Sequence, residues 1–564
     1  MTTATEQETI TLNYNLYDLP TAQHKAGLAG LLFLIQTLMK RNVSPLPEII
    51  EKTPISVKII FSETSLQTLF KEIYAACLVE STSKQVRKDK NKQIIEPLRI
   101  EERLSADGKK NEKIYIYQDV RPRGRFFADY FSGGEESPWL KLWQDMLWGT
   151  LRAIPATRGI YEEQLENKTC TEAGKVWAQL LKTTKPKNQS LTNAVASSIY
   201  IGAQNVNAEQ VPFMGLIAQN LLLHFWSLVS LVYVPQRFSI EEERIKFEYA
   251  GFVLAIPEVS HLEDFLETYI PLIQNLTLEK WGYRPKDALI TFPDEAGMEY
   301  LFQLTHAGFL EAKGKKLKRV VNSIELHHLE KQGKVTRILT TDKVVPNSRW
   351  FNKYENVRKK IHNPYFKSLY LKNILMDSLW YQGFNRALNI YSWKLFIYNP
   401  TKPMFNFFGV DAKNCFKILI EDLEKKERSK IQMPELANDQ LARSVYRLIR
   451  GYAQFKSESK SGVQYESIKD SIKTQGYPKA YREAREKVCS DAFLAMRGRR
   501  EADFIEYFTG TICSVPHFLP EDEFIQVGHA LLHDWETVKT LSMLALSAHS
   551  YLTSPKKETE GEAQ

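Results

Sequence analysis

His529 and His533 stand four residues apart, and Asp534 follows at once. On a helix the two imidazoles would share a face and could bind a metal. An adjacent His-Asp pair is also the core of one class of metal-dependent phosphohydrolase. That chemistry needs a further His upstream and an Asp downstream on separate helices, and no Asp follows Asp534. The alternative for the segment is a bundle helix with polar edge residues. His327 and His328 fall on a strand-like stretch, where neighbouring side chains point to opposite faces, so the pair cannot share one metal. No GxSxG, HExxH or Walker A pattern occurs. The five cysteines, Cys77, Cys170, Cys415, Cys489 and Cys513, are widely spaced and form no CxxC pair. Neither a zinc site nor a disulfide framework is indicated, and a reducing compartment fits best. The chain reads as a non-enzyme without metal or cofactor. A nuclease or phosphohydrolase using His529, His533 and Asp534 is the alternative.

Cations interleaved with aromatics carry more of the signal. Arg121, Arg123 and Arg125 alternate with Pro122 and Gly124 and run into Phe126 and Phe127. Pro and Gly keep this run out of a helix, and an arginine loop beside aromatics suits phosphate gripping or base reading. Lys313, Lys315, Lys316, Lys318 and Arg319 precede a strand-like segment. Residues 347–366 combine Asn347, Arg349, Lys353, Arg358, Lys359 and Lys360 with Trp350, Phe351, Tyr354 and Tyr365. That mixture suits backbone tracking with stacking or wedging. Further on, Arg443, Arg447 and Arg450 are spaced four and three apart and fall on one helix face. Each cluster also has a plainer reading as a solvated face with its aromatics turned inward.

The elements that position these residues follow from periodicity. The chain has 564 residues, 43% of them hydrophobic, and a net charge of +8. That size suggests about three or four domains with a real core. The expected class is α+β: a mixed N-terminal and middle region followed by a C-terminal helical bundle. The expected segments are 1–185, with a charged insertion at 81–113; an α+β middle region at 186–365; a helical connector at 366–432; a bundle at 433–552; and a disordered tail at 553–564. Strands are expected near 11–17, 56–61, 245–256, 319–329 and 334–339, and helices near 64–79 and 139–151. Residues 216–234 are long enough to span a bilayer, but Gln219, Asn220, His224, Ser227 and Ser230 interrupt them. A buried helix is the expectation there, and the N-terminus carries no signal-peptide pattern. The chain is expected to be soluble and cytoplasmic, with no membrane partner.

Residues 14–32, YNLYDLPTAQHKAGLAGLL, resemble the opening of the Myxan-type CRISPR-associated proteins, which act as Cascade large subunits. The organisation, a mixed region of about 400 residues before a helical bundle, is similar too. The resemblance implies a non-catalytic subunit of an RNA-guided DNA surveillance complex. Such a subunit holds the 5′ end region of the guide RNA with its neighbours, reads a short flanking motif (PAM) in duplex DNA, helps open the duplex and stabilises the R-loop. Its implied partners are guide RNA, target double-stranded DNA, the displaced single strand, and the Cascade backbone and small subunits. A recruited helicase-nuclease (antiviral defence) or transposition machinery would complete the set. Gln23, His24, Lys25, Gly27 and Gly30 match the motif directly, with packing, assembly or contact with the RNA handle as their implied roles. An RNA-binding scaffold that never touches duplex DNA is a further alternative. Met433 opens the bundle segment and is a candidate internal start for a separate small subunit of about 130 residues.

Overall fold

Thr21 caps the helix Ala22–Lys40 by accepting the His24 backbone N–H. Leu28, Leu31, Leu32, Phe33, Leu34 and Ile35 are each fully buried. A helix apolar on nearly every side belongs at the centre of a core rather than on one flank. The structure, a computed structural model, describes residues 8–88, 92–104, 111–151, 155–166, 168–203, 211–241, 244–307, 316–332, 335–398, 407–428, 436–516 and 519–552. Two compact units result: 1–237 with 249–346, and 238–248 with 347–564. The connector and the bundle of the sequence reading fall together in the second of them.

The first unit is α+β. Thr9–Asn15, Ser56–Ser62 and Glu48–Lys52 form an antiparallel sheet. The charged insertion belongs to a second antiparallel sheet, Ala76–Ser83, Asn111–Pro122 and Arg99–Leu104. The largest sheet orders Arg244–Tyr249, Leu231–Glu241, Phe252–Val259, Val321–Gln332 and Val335–Val344, with Leu289–Ile290 parallel to the second of these. The hairpin tip at 238–248 groups with the second unit.

Two sequence expectations change here. Residues 64–79 are not one helix: Glu63–Ile73 is helical, and Ala76–Ser83 is a strand. Residues 216–234 are buried but not one helix. They break into Ile217–Asn220, the 3-10 turns Leu221–His224 and Trp226–Leu228, and a strand from Leu231. The reason lies in the neighbouring helix. A Cβ at Gly27 would lie 2.2 Å from the Leu222 carbonyl oxygen, and one at Gly30 would lie 2.1 Å from that of Phe225. The two glycines let that irregular backbone press directly on the central helix. Among the described residues, no helix is long and apolar enough to cross a membrane.

The second unit is helical. Phe408–Arg428, Leu436–Ser461, Lys479–Arg497 and Trp535–Ser550 pack together. Small residues let them approach closely. Ser444, Ser457 and Ser542 are fully buried, and each hydroxyl bonds the carbonyl one turn earlier. Met433 and the tail at 553–564 lie outside the described residues.

Candidate nucleic-acid interface

The family-like motif is structural. Gln23 is buried and brackets Ile201, its Oε1 accepting the backbone N–H at 3.0 Å and its Nε2 donating to the carbonyl at 3.3 Å. His24 Nδ1 meets Thr21 Oγ1 at 2.8 Å. Burial pushes the His24 imidazole down to about 4, so it stays neutral. Lys25 pairs with Glu258 at 2.9 Å. Burial alone would raise the Glu258 carboxyl, but hydrogen bonds from Lys343, Lys25 and Ser323 outweigh it and hold it at about 2. These three side chains are engaged inside the chain.

The same helix reaches the arginine loop. Arg41, just past its end, binds Glu72 at 2.9 Å, Asp129 at 2.7 Å and the Arg125 carbonyl at 2.9 Å. Gly124 sits at φ +61, and a Cβ there would meet Leu140 and Trp143 at 2.9 Å. The three arginines fare differently. Arg121 is half-buried over the Trp148 ring at 5.6 Å, and Arg158 lies over the same indole at 5.2 Å. Burial works against the Arg121 charge, and Asp145 and Asp119 offset this in part. Arg123 pairs with Glu135 at 2.9 Å. Arg125 is exposed, with no side-chain partner among the described residues. Phe126 corrects the expectation. It is fully buried against Phe127 and Trp143, at 4.2 and 5.9 Å between ring centres, and is unavailable to a base. Arg125→Gln is expected to leave Tm unchanged, because no side-chain partner is lost. Thermal melting of the full chain checks this.

Sequence reading missed the most exposed aromatic feature beside this loop. Lys280–Trp281 and Arg284–Pro285 form a minimal hairpin, with Gly282 at φ +64 in its turn. Trp281 is 57% exposed and Tyr283 65% exposed, so both rings are open to a partner. The hairpin base is fixed. Lys286 binds Glu279 at 2.7 Å, and Pro285 is buried. Arg284 lies over Tyr249 at 4.5 Å and Phe252 at 5.7 Å, and donates to the Tyr283 hydroxyl at 3.1 Å. Before the hairpin, the Gln274 carbonyl accepts from Ser132 and the Thr277 carbonyl from Trp139, at 2.7 and 3.0 Å. Both donors belong to the segment that comes after the arginine loop in sequence. Lys280 acts electrostatically on Glu136, and Arg284 and Arg121 both act on Asp145. Arginine loop and aromatic hairpin therefore form one neighbourhood. The signal in sequence was two aromatics flanking a glycine between lysines, KWGYRPK at 280–286.

The other basic clusters scatter. Lys313 and Lys315 lie outside the described residues, and Lys316 is exposed. Arg319 is drawn to Asp264 at 2.9 Å. Residues 348–360 form a helix, with Asn347 exposed at its start. Arg349 lies on that helix, Lys353 is exposed, Arg358 is half-buried, and Lys359 pairs with Glu355 at 2.6 Å. Trp350 corrects the expectation of a stacking platform, since it is buried with Tyr354 and packs on Phe351. The helix turns Trp350 and Tyr354 inward because they share one apolar stripe with Val357 and Ile361. Arg443 is corrected: it is buried and binds Glu523 at 3.2 Å. Arg447 binds the same carboxylate at 3.2 Å but is exposed, and Ser444 donates to that carboxylate at 3.1 Å. Arg450 is exposed as well.

His529 and His533 are exposed with ring centres 4.4 Å apart, and the Asp534 carboxylate caps the next helix through the Thr537 N–H. Among the described residues, no group of three or more His, Cys, Asp or Glu is placed to hold a metal ion.

Comparison with known families bears on this arrangement. The type I-B CRISPR Cas8b N-terminal domain matches residues 46–355, and the type I-B CRISPR Cas8b C-terminal domain matches residues 321–549. The boundary between the two units, after residue 346, falls inside the overlap. Residues 14–32, which carry the Myxan-type resemblance, lie upstream of both matches. No curated protein matches the chain. With both domains matched in order across most of its length, the chain belongs to the type I-B CRISPR Cas8b family and is a type I CRISPR large subunit.

Proposed function

We propose that this large subunit works without catalysis inside a Cascade-type, Myxan-like assembly, where it reads the PAM in duplex DNA and opens the first base steps. The observation that carries the reading is the braced hairpin with Trp281 and Tyr283 exposed beside the arginine loop. In this reading Arg125 contacts a phosphate, and the two rings enter or stack on the base step next to the PAM. A braced tip loses little entropy on insertion, and base–aromatic stacking is worth about 1–3 kcal/mol per base. Guide–target pairing supplies sequence recognition. The guide RNA 5′ region is held with neighbouring subunits, and Lys316, Lys353 and Arg450 are surface cations available to the guide or the displaced strand. The R-loop so formed would be handed to a recruited helicase-nuclease or to transposition proteins.

The test uses the assembled complex with a 2-aminopurine reporter beside the PAM. Trp281→Ala with Tyr283→Ala is expected to slow opening of a fully paired target about tenfold or more, because one to two stacking contacts are lost. Tm should hold, because both rings are exposed, and a target with a pre-opened bubble should restore binding. Unchanged opening on the paired target would overturn the assignment. If mobility shifts do not respond to PAM variants at all, the RNA-scaffold reading replaces it.

A further inference from the structure

Among the described residues, four cations of the helical unit converge without an acidic partner. Lys413 and Lys417 sit one turn apart on Phe408–Arg428, Arg450 on Leu436–Ser461 and Arg485 on Lys479–Arg497. None of the four makes an ion pair. Their mutual approach shows in their fields. Lys417, Arg485 and Arg450 add to burial in pushing the Lys413 ammonium down to about 8. Arg485, Lys413 and Arg450 likewise help burial keep His549 neutral.

Arg485 is the decisive member. It is 5% exposed, and its Nε and Nη1 have no hydrogen-bond partner. Its guanidinium lies 5.8 Å from the centre of the Tyr481 ring. Glu458 is near enough to act on Tyr481 but makes no ion pair with Arg485; its Oε1 accepts from Gln454 Nε2 and the Tyr465 N–H, at 3.0 and 3.2 Å. A buried guanidinium with two idle donors and three like charges nearby is costly unless an anion completes it. Arg450 and Lys417 are exposed and Lys413 half-buried, so the cluster opens to the surface while Arg485 forms its floor.

We propose that Arg485, Lys413, Lys417 and Arg450 form a binding site for one phosphate group. A tetrahedral oxyanion offers enough acceptors for the Arg485 fork and the ammonium of Lys413 together. The phosphate is either a diester within a nucleic-acid strand or a terminal monoester. The site does not depend on the duplex-opening role of the Trp281 hairpin; it shares only Arg450 with the surface cations named above, and its test leaves Trp281, Tyr283 and Arg125 unchanged.

The full chain is melted in sodium phosphate and in sodium chloride of equal ionic strength. Phosphate is expected to raise Tm. Arg450→Gln and Lys417→Gln, both at exposed positions, should melt normally in chloride and bind phosphate about tenfold more weakly. Arg485→Met should lose the phosphate response. Displacement of phosphate by a 5′-hydroxyl thymidine oligomer identifies a strand diester, and displacement only by the 5′-phosphorylated form identifies a monoester. The proposal is overturned by no phosphate-specific rise, by a rise unchanged in both glutamine variants, or by displacement with neither oligomer.

Discussion

Alanine at both Gly27 and Gly30 is expected to unfold the first unit at ordinary temperature. The new methyl carbons would sit 2.2 Å and 2.1 Å from the carbonyl oxygens of Leu222 and Phe225. Neither oxygen can swing away, because both belong to backbone buried against the central helix. The helix must back off by more than an ångström, which would open gaps around Leu28, Leu31 and Phe33. Overpacking at one such site costs about 1–3 kcal/mol and occasionally more. Two on one face approach the whole stability of a domain, about 5–15 kcal/mol. The effect should reach the arginine loop, because Arg41 at the helix end holds Asp129 and the Arg125 carbonyl. Circular dichroism and limited proteolysis of the full chain check the result. A native-like melt for the double variant would contradict the packing account.

Asp411 carries the second large effect. Its carboxylate is 1% exposed and accepts the N–H of His362 at 3.0 Å and that of Asn363 at 2.6 Å. Asn363 is itself fully buried and caps Pro364–Leu375 through the N–H groups of Tyr365 and Phe366. Asp411→Ala leaves two donors without acceptors at about 1–3 kcal/mol each, so a loss of about 3 kcal/mol or more is expected in urea denaturation.

A pH signature accompanies it. Burial raises the Asp411 carboxyl from 3.8 to about 7, against the pull of the Asn363 and His362 N–H groups and Lys367. The native state thus holds a proton across a range where the unfolded chain has released it. The stability tied to this proton is fully present below about pH 4, is lost as pH rises through 7, and is then absent. Its size is at most about 4 kcal/mol at 1.36 kcal/mol per unit. His362, pushed down by burial, works in the opposite direction. The informative quantity is therefore the difference between the wild-type chain and Asp411→Asn, which should change between about pH 4 and pH 7 and level off above it. A constant difference would refute the assignment.

Helices whose apolar residues recur at helical spacing could be read directly. Lys479–Arg497 is one helix of the bundle expected at 433–552, and Tyr481, Ala484, Val488, Ala492 and Met496 mark its buried stripe. Residues 347–360 were legible in composition but not in direction. The helical period that buries Trp350 and Tyr354 competes with the reading of exposed aromatics, and burial wins because each ring hides a large apolar area. Residues 216–234 misled for a different reason. Their apolar content demanded burial, but two glycines almost 200 residues earlier set the backbone shape. Periodicity within a segment holds no record of its neighbour.

Residue types and local spacing determined the α+β class, the helical C-terminal region and the presence of an arginine-rich loop, because these depend on short-range preferences and on which faces must leave water. Tertiary structure decided which cations remain free. Arg443 and Arg447 looked identical to Arg450 in sequence, yet Glu523, about 80 residues away, pairs with the first two and leaves the third without an ion pair among the described residues. Trp281 and Tyr283 stay exposed because the buried face of their hairpin is already filled by Arg284 and Pro285. Arg485 acquired its charged neighbours from two other helices. Charge and aromaticity are properties of residues, whereas availability depends on what the fold places opposite them, and for these sites that partner lies far away in the chain.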